Sequence, residues 1–252
     1  MKFRWSNSTF TVPILAFGFA CCATASVAVA DPLGDSIVQY KARFPLPNTH
    51  AKLVNNHGDG FEDLRGVRNF RAVLGGVMYR GGANNDYRVP KLGTHNPLPK
   101  EGLSNLCQEG FSTAIYLYST NYEDANHTIT CKTRDGKENT LSYLQISPLT
   151  GGEKAQRALL TEIHRHLGAQ STHPVYTHCW NGWHASGFIS ALALRQFCGI
   201  SAEAAISYWT QNTDGNEHVA NAKFIHKAIT EFKSIPELAI PDSVRDEICP
   251  PM

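Results

Sequence analysis

The segment from Pro174 to Cys198 constrains this chain more than any other. Pro174-Val175-Tyr176-Thr177-His178-Cys179 reads as a short apolar strand that runs almost directly into Gly182 and a helix from about His184 to Cys198. Phe188, Ile189, Leu192 and Leu194 make that helix apolar around much of its circumference, so it has to be covered on most sides. A strand that feeds a buried helix this abruptly is the repeating unit of a parallel sheet with helices packed on it.

The flanking sequence continues the alternation. Val77-Met78-Tyr79-Arg80 reads as a strand ending in Gly81-Gly82, followed by a long loop from Ala83 to Pro99 rich in Asn, Pro and Gly. Pro99 to Glu109 reads as a helix with Leu103 and Leu106 on one face and Gly110 as its stop. Strands are expected over Ser112–Ser119, Thr128–Lys132 and Leu141–Ile146, with a turn at Asn139-Thr140, and a helix over Glu153–Leu167. Helices over Ser201–Thr210 and Glu217–Phe232 precede a Pro-containing tail. The expected fold is therefore α/β, a central and mainly parallel sheet flanked by helices.

The N-terminus has the order of an export signal. Lys2 and Arg4 precede an apolar run from Thr11 to Ala20, and Ala28-Val29-Ala30 supplies a small-x-small cleavage site before Asp31. Residues 1–30 are expected to be removed, which places the protein in the periplasm or outside the cell, with no stable membrane span after cleavage. Residues 31–60 are polar and read as a lead-in wrapping the surface of one domain spanning 61–252. The chain holds 23 Lys and Arg against 22 Asp and Glu, and two of those cations lie in the signal, so the body is close to neutral. That balance gives no net attraction to nucleic acid.

The chemistry is expected at the strand-to-helix junction. A cysteine at the end of a buried strand, followed by a glycine-containing loop and a helix N-terminus, lies among backbone N–H groups that stabilise a thiolate and bind tetrahedral oxyanions. The stretch His178-Cys179-Trp180-Asn181-Gly182-Trp183-His184-Ala185-Ser186-Gly187 resembles the signature His-Cys-x-x-Gly-x-x-Arg-Ser/Thr-Gly of cysteine-dependent protein tyrosine and dual-specificity phosphatases. It matches at His178, Cys179, Gly182, Ser186 and Gly187. Upstream, Arg68-Asn69-Phe70-Arg71, Gly75-Gly76 and Val77 to Gly82 are similar to the entry segment of bacterial members, so the resemblance extends from about Arg65 to Phe232.

The resemblance implies a phosphatase-like fold, Cys179 as nucleophile, a loop from Trp180 to Gly187 that cradles phosphate, Ser186 as a donor to the sulfur, and His178 as support for the loop. It also exposes two departures. Ala185 stands where the family has the arginine whose planar fork clamps phosphoryl oxygens. The region where the family carries its proton-donating aspartate, Ser147 to Glu153, contains none, and Glu153 is either a substitute or a first-turn helix acid.

Weak or absent phosphatase activity is expected, on a phosphorylated small molecule or a phosphoprotein, with no cofactor and no metal. The alternatives are an active phosphomonoesterase in which His184 replaces the missing cation or acid, and a sulfur-transfer or redox protein that uses the Cys179 thiol. His184 either fills that role or faces away from the loop. Trp180 and Trp183 either wall a pocket for a ring or pack the loop, and Arg80 either borders the pocket or joins a surface ion pair.

Removing the signal leaves Cys107, Cys131, Cys179, Cys198 and Cys249, an odd set in an oxidising compartment. If Cys179 stays free, the other four form two bridges. The expected pairs are Cys107 with Cys131 and Cys198 with Cys249.

Overall fold

The computed structural model describes residues 32–84, 97–168 and 173–251. The expected signal over 1–30 and most of the expected loop between Ala83 and Pro99 lie outside them. The chain forms one six-stranded sheet in the order β1-β2-β6-β3-β5-β4. Its strands are β1 (Val67–Leu74), β2 (Met78–Ala83), β3 (Thr113–Tyr116), β4 (Thr128–Lys132), β5 (Glu138–Gln145) and β6 (Val175–Cys179). The four central strands β2, β6, β3 and β5 run parallel, while β1 and β4 pair antiparallel at the two edges. This is the mixed, centrally parallel α/β sheet that the sequence leads one to expect, and it is consistent with a phosphatase-like layout.

Eight α-helices accompany the sheet in the described residues: α1 (Pro32–Arg43), α2 (Lys100–Gln108), α3 (Gly152–Arg165), α4 (Ala185–Cys198), α5 (Ala202–Gln211), α6 (Glu217–Ala220), α7 (Lys223–Glu231) and α8 (Asp242–Ile248). Alternate residues of a strand face opposite sides, so Met78 and Val175 join one core while Tyr79 and Tyr176 join the other. The first core is aliphatic and is filled from α3, α4, α5 and α7. The second is aromatic, with Phe44, Phe70, Tyr79, Phe111 and Tyr176 packed at centroid distances between 5.1 and 6.2 Å. Helix α4 is the buried element expected from its sequence, and every residue from Ala185 to Leu194 is buried. No described helix is long and apolar enough to cross a membrane.

Several local expectations are corrected. The lead-in does not merely wrap the surface. It opens with α1, whose Leu33, Ile37 and Tyr40, with Phe44 beyond its end, enter the cores at helical spacing. Strand β2 starts at Met78 and runs one residue past the expected Gly81-Gly82 end, to Ala83, with Gly81 and Gly82 paired to His178 and Cys179. The expected turn at Asn139-Thr140 lies inside β5, because Asn139 is a buried residue whose side-chain amide donates to the carbonyls of Cys107 and Phe111. The reversal before β5 is made at Gly136, which takes the left-handed conformation. The expected helix over 217–232 is two helices, broken at Asn221-Ala222, and the tail adds α8. Both expected disulfides are present, Cys107–Cys131 and Cys198–Cys249, and Cys179 is a free, buried thiol.

Candidate functional site

Cys179 ends β6, and α4 begins six residues later at Ala185. What distinguishes the loop between them is that each carbonyl from Trp180 to Trp183 is held by a donor from another part of the fold. The Trp180 carbonyl accepts from Arg68 Nε and from the Ala83 N–H, both at 3.0 Å. The Asn181 carbonyl accepts from Asn69 Nδ2 at 2.6 Å, the Gly182 carbonyl from Arg80 Nη1 at 2.8 Å, and the Trp183 carbonyl from Trp209 Nε1 at 2.9 Å.

The Cys179 carbonyl lies 3.2 Å from Nδ1 of His178, and the hydrogen-bond network assigns the tautomer. Tyr143 Oη accepts from the Leu98 N–H, so its own proton is directed to His178 Nε2 at 2.8 Å. Nε2 is then the bare nitrogen and Nδ1–H donates to Cys179. Burial among Tyr116, Tyr143 and Tyr176 pushes the His178 imidazole down to about 3, which keeps it neutral.

The peptide unit is planar and trans, so the N–H of each following residue points opposite to the carbonyl it shares a plane with. Five carbonyls drawn toward buried donors turn the N–H groups of Trp180, Asn181, Gly182, Trp183 and His184 to the other side, where a cavity opens. Those of Asn181, Gly182 and Trp183 meet no backbone carbonyl among the described residues. The first-turn N–H groups of α4, from Ala185 to Gly187, continue the same row. A row of main-chain N–H groups at a helix N-terminus is an arrangement that can cradle an anion.

The sequence around the cradle is shaped to hold it. Asn69 takes a left-handed φ of 51° within a β-bulge between Arg68 and Arg71, and this backbone aims its amide at the loop. Gly182, at φ 82°, packs on the backbone of Gly81, where an added Cβ would come within 2.7 Å of the Gly81 carbonyl carbon. A side chain at Gly82 would collide with the Trp180–Gly182 backbone.

The cavity, about 840 Å³, is lined by Cys179, Trp180, Asn181, Trp183 and His184 from the loop, by Tyr118, and by residues from α6 to Phe224. Cys179 is 1 % exposed, and its Sγ lies 3.5 Å from Ser186 Oγ. His184 faces the cavity rather than away from it, with Nδ1 3.4 Å from Tyr118 Oη and its ring edge-on to Phe224. Burial, and then the neighbouring Cys179, push the Tyr118 hydroxyl well above its ordinary range. Trp180 and Trp183 both wall the cavity; Arg68 lies over the Trp180 ring, and Trp183 Nε1 donates to Asp214 at 2.8 Å.

Three residues at the site depart from their sequence readings or were missed by them. Glu153 opens α3 and lines a different cavity, so it places no carboxyl beside Cys179. Arg80 is not in a surface ion pair; it is completely buried beneath the loop. Asp214, unremarked in the sequence, bonds Lys52, Arg71 and Trp183. Burial would raise its carboxyl, but those partners outweigh burial and hold it below the usual range, so it is an ionised anchor and no proton donor. No aspartate lines the cavity among the described residues.

A larger cavity of about 1040 Å³ surrounds Arg43, Asp63, Glu109 and Arg134. It is not the better candidate, since its buried carboxylate, Glu109, is already held by both arginines. No protein-family model matches the chain, and no curated protein matches it.

Proposed function

We propose that this is an exported protein of the cysteine-dependent phosphatase class whose Cys179 loop binds a tetrahedral oxyanion, carried by a phosphorylated small molecule or a phosphoprotein, and whose turnover is weak or absent. The observation that carries the reading is the row of five loop carbonyls drawn to buried donors, which turns the intervening N–H groups toward the cavity beside Cys179. Weak turnover is supported by two departures from the family pattern among the described residues. Loss of a preorganised charge-stabilising donor costs about 10² to 10³ in rate, and loss of a general acid about 10² to 10⁴. Ala185 supplies neither, and among the described residues no aspartate lines the cavity; its one carboxyl, Glu217, comes from α6 and not from the Ser147–Glu153 region where the resemblance places the acid. Export to the periplasm or the medium is supported by the residue order of 1–30 and by the two disulfides.

One observation favours a second reading, phosphomonoester hydrolysis helped by His184, because this imidazole lines the same cavity as the thiol. Hydrolysis of an aryl phosphate by wild type and by Cys179→Ser separates the two. Slow hydrolysis lost with the sulfur, or none, agrees with the proposal. Rapid turnover abolished by both Cys179→Ser and His184→Ala replaces it with the second reading, and persulfide formation at Cys179 without ester hydrolysis replaces it with sulfur transfer.

A further inference from the structure

Two buried arginines hold carbonyls of the Cys179 loop, Arg68 at 5 % exposure and Arg80 at 0 %, and Arg80 is the deeper. Arg71 has Asp214, and Glu109 has Arg43 and Arg134. Arg80 has 0 % exposure and gives Nη1 to the Gly182 carbonyl, yet its Nε and Nη2 meet no acceptor among the described residues, and no carboxylate pairs with it. Its guanidinium lies over the Tyr208 ring with Cζ 5.4 Å from the centroid.

Its place relative to α4 sharpens the anomaly. A Cβ on Gly187 would lie 2.9 Å from Arg80 Nη1, so the absence of that side chain is what lets the guanidinium sit against the first turn of the helix. A helix N-terminus carries partial positive charge, and a guanidinium does not deprotonate in proteins. A permanent buried cation therefore adjoins a second positive feature, and no carboxylate of the described residues forms an ion pair with that cation; the nearby Asp214 is bonded to Lys52, Arg71 and Trp183. Such an arrangement is costly unless opposite charge arrives at the same place, and the loop that Arg80 supports is the anion cradle.

We propose that Arg80 is a positioning residue that supplies the fixed positive field of the Cys179 loop, the part Ala185 leaves missing, so that the site selects doubly charged tetrahedral oxyanions by charge. The inference rests on the oxyanion reading above. Arg80 acts through the Gly182 peptide: its bond to the carbonyl orients the Trp183 N–H, while its charge reaches the cradle across one thickness of backbone. A cation so placed gives no planar fork to the ligand, so it favours charge over bidentate geometry.

The test is calorimetric titration of the full disulfide-bonded protein with tungstate, a dianion, and perrhenate, a tetrahedral monoanion. The wild type, Arg80→Lys and Arg80→Gln are compared, with near-UV circular dichroism reporting the fold. Tungstate affinity is expected to fall by about tenfold or more in Arg80→Gln and to stay within about threefold in Arg80→Lys. A merely structural role lowers the melting temperature of both variants and leaves their affinities alike. A folded Arg80→Gln that binds tungstate as the wild type does overturns the inference and leaves the oxyanion reading standing. A wild type that binds no tungstate overturns both. Should Arg80→Gln not fold, the wild type still decides: equal affinity for tungstate and perrhenate overturns selection by charge.

Discussion

Acid should unfold this protein through His178. Burial holds the imidazole at about 3 in the folded chain, against about 6.5 when unfolded. The unfolded state therefore binds the proton more readily, and stability is lost as pH falls from the unfolded value toward the folded one. Linkage over that gap gives a loss of about 1 kcal/mol between pH 8 and pH 5.5, and about 2 kcal/mol by pH 5. The cause is specific. A proton on Nε2 would face the Tyr143 hydroxyl, which is oriented as a donor because it accepts from Leu98 N–H. Urea unfolding of the wild type and of His178→Gln at pH 8 and 5.5 isolates the effect, since other titrating groups cancel in the difference. The variant should be less stable at pH 8, having lost a buried hydrogen bond, but its stability should fall by about 1 kcal/mol less than that of the wild type on acidification. Equal losses in the two proteins would refute the neutral, tyrosine-locked imidazole.

Three further outcomes are expected. Removing the bridge that closes the longer loop, Cys198–Cys249 with separation 51, should cost about 4 kcal/mol by loop entropy, against about 3.4 kcal/mol for Cys107–Cys131 with separation 24; calorimetric melting of the paired alanine variants in the reverse order would contradict this. Asp214→Asn should destabilise by about 3 kcal/mol, because it leaves the Arg71 guanidinium buried without its anion, and an unchanged urea midpoint would count against that ion pair. Ala185→Arg should show opposed effects: a stability loss of about 1 to 3 kcal/mol from overpacking a fully buried position, and tungstate binding tightened by about 1.5 to 3 kcal/mol through a new charge-assisted bond. Unaltered tungstate affinity in the folded variant would show that position 185 does not reach the cradle.

The sequence is most readable where local chemistry and tertiary packing agree. The β6–loop–α4 unit declares itself because apolar runs, Gly182 and the all-round hydrophobicity of α4 point to the same buried junction. Setting Cys179 aside leaves three ways to pair the other four cysteines, and the expected one, joining neighbours in sequence, is the one the structure shows. Strand β1 is hidden for the opposite reason: Arg68, Asn69 and Arg71 break its apolar pattern, yet they are buried because two of them anchor the loop and the third holds Asp214. A polar residue inside a sheet is legible only once its partner is known, and these partners lie more than one hundred residues away. The same holds for Arg80, which in isolation looks like an ordinary strand-end cation. Helix α1 was readable from the spacing of Leu33, Ile37, Tyr40 and Phe44, but its polar surroundings masked that spacing.

The central claim is that the Cys179 loop presents its N–H groups as an oxyanion cradle, and a crystal soaked in tungstate tests it most directly. Tungsten scatters strongly enough to be located without reference to the protein. The account predicts one site beside Cys179, with tungstate oxygens within hydrogen-bond reach of the N–H groups of Asn181, Gly182 and Trp183, and with the Gly182 carbonyl still on Arg80. Tungsten found only elsewhere, or a loop whose carbonyls have left Arg68, Asn69 and Arg80 to face the cavity, would contradict it.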